Sequence, residues 1–367
     1  MLRIFTAALL VLAVTACGTS AAPTPLASPP PTSPETVAPS ASPGAPEPSG
    51  SPSVDPSVSP QWDGHAADGL ALVQFADPSN PVSQIFVVQP DGSLRQVTGS
   101  SPSFSGATLP VWSPDRTQIA FRGPKMGEVG IKGQIGVVNA DGTGERQIAE
   151  GRDVKWSADN TRILFGEVDD VTSEPTSMYV ADVATGEITD LGIGYSPQWL
   201  RDGERISFSR AVQGRVAGDS AAFSTVLYVM ALDGSEPTEL AEDTDAFWSP
   251  DGSAVLLHSE GTLSLASADG TAARELAGGF APVWSPDGTR IVLAYEHDQD
   301  ATPILAVVDL DGQRIWSGVS GATPTWSPDG TRIAVEIPYP EPKVQILDAA
   351  SGDVLWEVEG SQPAWTN

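Results

Sequence analysis

Aspartate recurs through this chain at a fixed distance from tryptophan. Asp115, Asp159, Asp202, Asp251, Asp287 and Asp329 each stand three residues after Trp112, Trp156, Trp199, Trp248, Trp284 and Trp326. A carboxylate in a tight loop could bind calcium, but calcium needs several oxygen donors converging from alternating positions. Most of these aspartates stand alone in their turns. The stretch Asp309-Leu310-Asp311-Gly312 comes nearest to a calcium loop, and it lacks the downstream glutamate of an EF-hand. The phrase around each aspartate is Trp-Ser-Pro-Asp-Gly, complete at 248–252, 284–288 and 326–330 and varied in the other three copies. Its residues suit a turn. Proline presets φ, aspartate bonds its own backbone, and glycine accepts positive φ. The aspartates are therefore expected to shape turns, with no metal and no cofactor.

Other catalytic chemistry finds little purchase. There is no Gly-x-Ser-x-Gly elbow, and the nearest phrase, Gly318-Val319-Ser320-Gly321, reads as a loop. The three histidines, His65, His258 and His297, are not paired at metal-ligand spacing. No catalytic residue is assigned. The net charge of −28 repels phosphate backbones and anionic membrane surfaces, which argues against nucleic acid as a partner.

The tryptophans set the architecture. With Trp62 and Trp365 they form a series of eight, 50, 44, 43, 49, 36, 42 and 39 residues apart, a period typical of repeat proteins. Each period holds a short apolar approach to tryptophan, the turn, and a β run such as Ile291-Val292-Leu293. A variable loop, a third strand ending at a second glycine turn, and a weaker fourth strand complete it. The second turns fall at Gly92, Gly142, Gly186, Gly234, Gly270, Gly312 and Gly352. Four short strands per period, with no amphipathic helix, predict an all-β propeller of seven four-stranded antiparallel blades. Six and eight blades stay open as alternatives, because the first period is irregular and Trp62 and Trp365 compete for one role. Residues 361–366 are expected to supply the innermost strand of the first blade and close the ring.

The only cysteine ends an apolar N-terminal segment, as Val14-Thr15-Ala16-Cys17 before Gly18. This resembles the lipobox of bacterial lipoproteins, which implies diacylglycerol on Cys17, cleavage before it and a place outside the cytoplasm. Residues 1–17 are accordingly expected to be a signal peptide. Residues 18–60 contain thirteen prolines and no aromatic residue. Such a stretch cannot repay the entropy of ordering, and it is expected to be a disordered stalk. Residues 61–367 are the expected folded domain.

The repeated phrase resembles the TolB-type, WD40-like propeller repeat of bacterial envelope proteins, from Trp62 to Trp365. TolB carries a separate α/β domain before its propeller, whereas this chain has the stalk in that place. The resemblance implies the fold. The expected role is a lipid-anchored, non-catalytic scaffold for an envelope protein, a peptide or a glycan. The alternative is a lactonase- or hydrolase-type propeller enzyme with a carboxylate-held metal in the central channel.

Topology points to a binding face. Tight glycine turns occupy one face of the ring, and the variable loops at 123–133, 167–177 and 210–225 share the other. Variable loops on a rigid scaffold are the usual place for recognition. The candidate partner-binding residues are Lys125, Lys132, Arg210 and Arg215, with Glu296, Asp298, Asp300 and Tyr339 across the ring.

Overall fold

In the computed structural model the described residues are 69–77, 80–99, 101, 103–124, 133–168, 175–213, 223–233, 235–242, 244–295, 303–338 and 342–365. They form twenty-eight strands in seven four-stranded antiparallel sheets. Each sheet is one blade of a β-propeller. The second blade is typical. Its strands run Thr108–Trp112, Gln118–Pro124, Gly133–Asn139 and Arg146–Glu150 from the channel outward. Blades 3 to 7 begin with the inner strands Arg152–Trp156, Tyr195–Trp199, Asp245–Trp248, Phe280–Trp284 and Ala322–Trp326. The first blade takes its inner strand, Ser361–Ala364, from the far end of the chain, and this strand pairs antiparallel with Ala71–Asp77. Trp365 therefore fills the tryptophan position of blade 1 and is buried with Leu70, Leu72 and Val88. Trp62 lies outside the described residues.

The blades are held together between their sheets. Middle strands are buried on both faces, as in Gly133–Asn139, whose first six residues are all buried. The tryptophans add a directed bond. The indole N–H groups of Trp156, Trp199, Trp284 and Trp326 donate to the carbonyls of Val111, Lys155, Phe247 and Val283, at 3.0, 3.1, 2.9 and 3.0 Å. In each case the acceptor immediately precedes the tryptophan of the previous blade. An indole N–H taken out of water usually finds such a partner. Arginines tie the turns around the ring. Arg162 donates to Gly203 O and stacks on Trp199, and Arg290 donates to Gly330 O and stacks on Trp326, with guanidinium-to-ring distances of 5.1 and 4.9 Å.

All three loop boundaries differ from the sequence reading; in blade 2 the strands reach Pro124 and resume at Gly133. In blade 4 the second and third strands extend to Gln213 and from Phe223, so Arg210 lies in a paired strand rather than in a loop. In blade 3 the strands likewise reach Val168 and resume at Pro175.

Candidate functional site

The turn aspartates are engaged within their own turns. In blade 5 the Ser249 hydroxyl donates to Asp251 Oδ1 at 2.7 Å, and Ser253 donates to the same oxygen through its N–H at 3.0 Å and its hydroxyl at 2.8 Å. The Ser249 hydroxyl oxygen also accepts from Ala254 N. The same pattern recurs at Asp115, Asp159, Asp287 and Asp329. These bonds favour the charged form. The Ser249 hydroxyl, followed by Ser253, holds Asp251 down at about 2, and the Ser157 hydroxyl does most to bring Asp159 to about 2. In blade 4, where Leu200 replaces serine, Asp202 accepts from Glu204 N, Arg205 N and Arg205 Nε. Asp309 accepts from Asp311 N and Gln313 N, which closes its turn. Among the described residues no three carboxylate, imidazole or thiol groups stand together as a metal-binding set.

The channel offers a different chemistry. Inner-strand residues one and three before the tryptophan share a side of the strand, which alternates with period two. In six blades the residue three before it has a left-handed backbone. These are Leu109, Asp153, Ser196, Ala281, Thr323 and Gln362, with φ between 46° and 58°. The pairing slips there, since Thr108 faces Arg122 while Val111 faces Ala120. One extra inner-strand residue forms a β-bulge. Blade 5 lacks it: Asp245, Ala246, Phe247 and Trp248 pair in unbroken register with His258, Leu257, Leu256 and Val255.

That regular register puts Asp245 directly opposite His258, so their side chains share one face of the sheet. Desolvation by the surrounding protein raises the Asp245 carboxyl above its usual range, although the residue is itself exposed, and the nearby His258 partly offsets this. His258 Nε2 is buried with no hydrogen-bond partner. In blade 3 the surrounding protein lowers the Lys155 ammonium by desolvation, with Asp153 opposing the shift, although the side chain itself is solvent-exposed. Sequence reasoning found no partner for His258 at metal-ligand spacing and singled out neither Asp245 nor Lys155. The signal was the register, which depends on pairing and not on residue type.

Apolar side chains mark the loop face. Strand direction puts the loops between second and third strands, and the links between blades, on that face. Of five exposed large hydrophobic residues among those described, three lie there: Phe75 beside the first-blade loop, Leu109 at the second-blade channel mouth, and Ile193 in the link from blade 3 to blade 4; the other two, Ile188 and Ile315, stand at the start of outer strands on the turn side. Arg210 lies beside Ile193. Its Nε donates to Ile193 O at 3.0 Å, and its guanidinium stacks on Phe208 and Tyr228 at 5.2 and 5.4 Å. Lys125, Lys132, Arg215, Glu296, Asp298, Asp300 and Tyr339 lie outside the described residues, as does Cys17.

No protein-family model matches the chain, and no curated protein sequence matches it. Solved structures do. An oligogalacturonate lyase in complex with manganese is 14% identical, with 78% of this chain and 85% of that one covered and a TM-score of 0.55. The oligogalacturonate lyase of Vibrio parahaemolyticus is 13% identical, with 79% and 86% covered and a TM-score of 0.54. TolB from Acinetobacter baumannii is 14% identical, with 81% and 83% covered and a TM-score of 0.49. At these identities the likeness is one of fold. The chain is a seven-bladed β-propeller.

Proposed function

We propose that this protein is exported and lipid-anchored through Cys17 outside the cytoplasmic membrane of a bacterium. On this reading the stalk at 18–60 carries the propeller at 61–367, which is a non-catalytic scaffold with its loop face turned to an envelope protein. The observation that carries the reading is the exposure of Phe75, Leu109 and Ile193 on one face of an otherwise strongly acidic molecule. Contiguous apolar patches rimmed by polar residues mark interaction sites, and the reading takes these three side chains to contribute to one. Arg210, pinned by its ring contacts, adds a preorganised cation beside Ile193. A peptide or glycan ligand would use the same face.

The test is photo-crosslinking in cells, with a benzophenone side chain placed in turn at Phe75, Ile193 and, on the opposite face, Pro328. Crosslinked adducts are expected at the first two positions and not at the third. Equal adducts at Pro328, or none at Phe75 and Ile193, reject the face. Replacing Cys17 by serine is expected to move the protein from the membrane fraction to the soluble exported fraction. Continued membrane retention rejects the lipid anchor.

One observation favours the catalytic alternative, and that is the Asp245–His258 pair in blade 5. A carboxyl raised above its usual range and paired across the strands with an imidazole is the kind of couple that acid–base chemistry uses. A channel metal held by carboxylates would stabilise the folded state by mass action. The scaffold reading expects the melting temperature to be the same in chelator and in excess calcium. A clear rise with calcium, abolished by Asp245→Asn, would move the assignment to the channel.

A further inference from the structure

On the turn face a cleft of about 920 Å³ opens between blades 4 and 5, lined by residues that include Arg201, Arg205, Glu236, Trp248 and Gly252. The repeats themselves indicate what belongs there. At two other blade junctions an arginine six residues after the tryptophan reaches into the next blade. Arg162 stacks on Trp199 and donates to Gly203 O, and Arg290 stacks on Trp326 and donates to Gly330 O. Arg205 holds the same place before Trp248 and Gly252, but its Nε turns back to Asp202 Oδ2 at 2.6 Å. The tie between turns passes instead to Arg201, which replaces the usual proline and donates to Pro250 O at 2.7 Å. The Trp248 indole is displaced as well. It donates to Ser207 Oγ and not to a main-chain carbonyl of the preceding inner strand, and the ring remains part-exposed. Mere lack of an arginine does not produce this. Trp156 and Trp284 follow Gln118 and Ala254 at the arginine position, yet both are buried, whereas Trp199 is part-exposed even with Arg162 over it; the bond to Ser207 is what sets Trp248 apart.

We infer that this cleft is a receptor for a guanidinium group, supplied by an arginine side chain of a partner protein. An indole face and a turn carbonyl are the two features that hold a guanidinium at the other junctions, and the corresponding residues, Trp248 and Gly252, both line this cleft, with the Arg201 side chain packed against Gly252. The lining carries five carboxylates, on Asp202, Glu236, Glu239, Asp251 and Asp269, against the two guanidiniums of Arg201 and Arg205. That balance attracts a cation. The planar, weakly hydrated guanidinium stacks on an aromatic face where a compact ammonium does not, so arginine is favoured over lysine. The cleft lies on the opposite face from the proposed docking loops, and neither reading depends on the other.

The probe is a blocked peptide, acetyl-Gly-Arg-Gly-amide, titrated into the full-length protein while the indole N–H resonances are followed. The Trp248 resonance, assigned through Trp248→Phe, is expected to shift saturably. The lysine peptide is expected to bind at least tenfold more weakly. Free arginine, whose carboxylate meets the acidic lining, is also expected to bind more weakly. Glu236→Lys, a change at an exposed side chain that leaves the core intact, is expected to weaken the arginine peptide at least tenfold. Absence of a saturable shift overturns the inference, as does equal binding of lysine or indifference to Glu236→Lys. Tighter binding of free arginine would make this a small-molecule site and overturn the protein partner.

Discussion

At the scale of single residues, the repeat uses tryptophan and aspartate for geometry. Trp112 and Trp156 are equally buried, at 8% exposure, but only Trp156 gives its indole proton to a carbonyl; the Trp112 nitrogen has no partner. A hydrogen bond of this kind contributes about 1 kcal/mol net. Phenylalanine at each position removes the nitrogen and a similar ring volume. Trp156→Phe is therefore expected to destabilise the fold by about 1 kcal/mol more than Trp112→Phe, since only the former strands a carbonyl. Equal losses in denaturant unfolding would mean that ring packing alone sets the cost. The aspartates give a pH signature. Asp159 and Asp251 lie near 2 in the fold, below the ordinary value of 3.8. Their contribution is complete above the unfolded value and is lost as pH falls through the folded one. Stability should drop between about pH 4 and pH 2. Asp251→Asn should make that drop shallower while lowering stability at neutral pH. An unchanged acid limb would show that other carboxylates govern acid unfolding.

At the scale of the strand, much of this molecule was legible and one part was not. The Trp-Ser-Pro-Asp-Gly phrase is visible in sequence because a turn is built from neighbours, and its serine, aspartate and glycine all act within six residues of one another. The inner-strand bulge is invisible because Leu109, Asp153, Ser196, Ala281, Thr323 and Gln362 share no property that marks a left-handed backbone. The candidate site inherited this gap: the pairing of Asp245 with His258 follows from the missing bulge in blade 5, not from either residue's identity. The left-handed conformation can be tested at Ala281, where φ is 48°. Strand propensity alone ranks valine above alanine and alanine above glycine. A left-handed site reverses that order, because glycine has no Cβ to clash and a β-branched side chain clashes most. Ala281→Gly is expected to be neutral or to stabilise by up to about 1 kcal/mol, and Ala281→Val to destabilise by at least as much. The propensity order in thermal unfolding would show that the bulge relaxes in solution.

At the scale of the whole ring, one four-residue strand joins the two ends of the sequence. Ser361–Ala364 pairs with Ala71–Asp77, and Gln362 links both neighbouring blades. Its side-chain oxygen accepts from Leu109 N in blade 2, and its own N–H donates to Glu336 of blade 7. Trp365 covers Leu70 and Leu72. Removing residues 361–367 would uncover that cluster and leave Ala71–Asp77 as an unpaired edge, which invites pairing between molecules. Loss of a buried tryptophan alone costs about 3–5 kcal/mol. The shortened chain is therefore expected to melt well below the full one and to self-associate on size-exclusion chromatography. A synthetic peptide of residues 358–367 should restore both properties when added in excess, because the edge it fills is specific in register and in its tryptophan pocket. A shortened chain that melts with the full one, as a monomer, would place the ring's stability in the six junctions between covalently consecutive blades. Rescue by the peptide would instead locate it at the seventh junction, where closure brings blade 1 and blade 7 together.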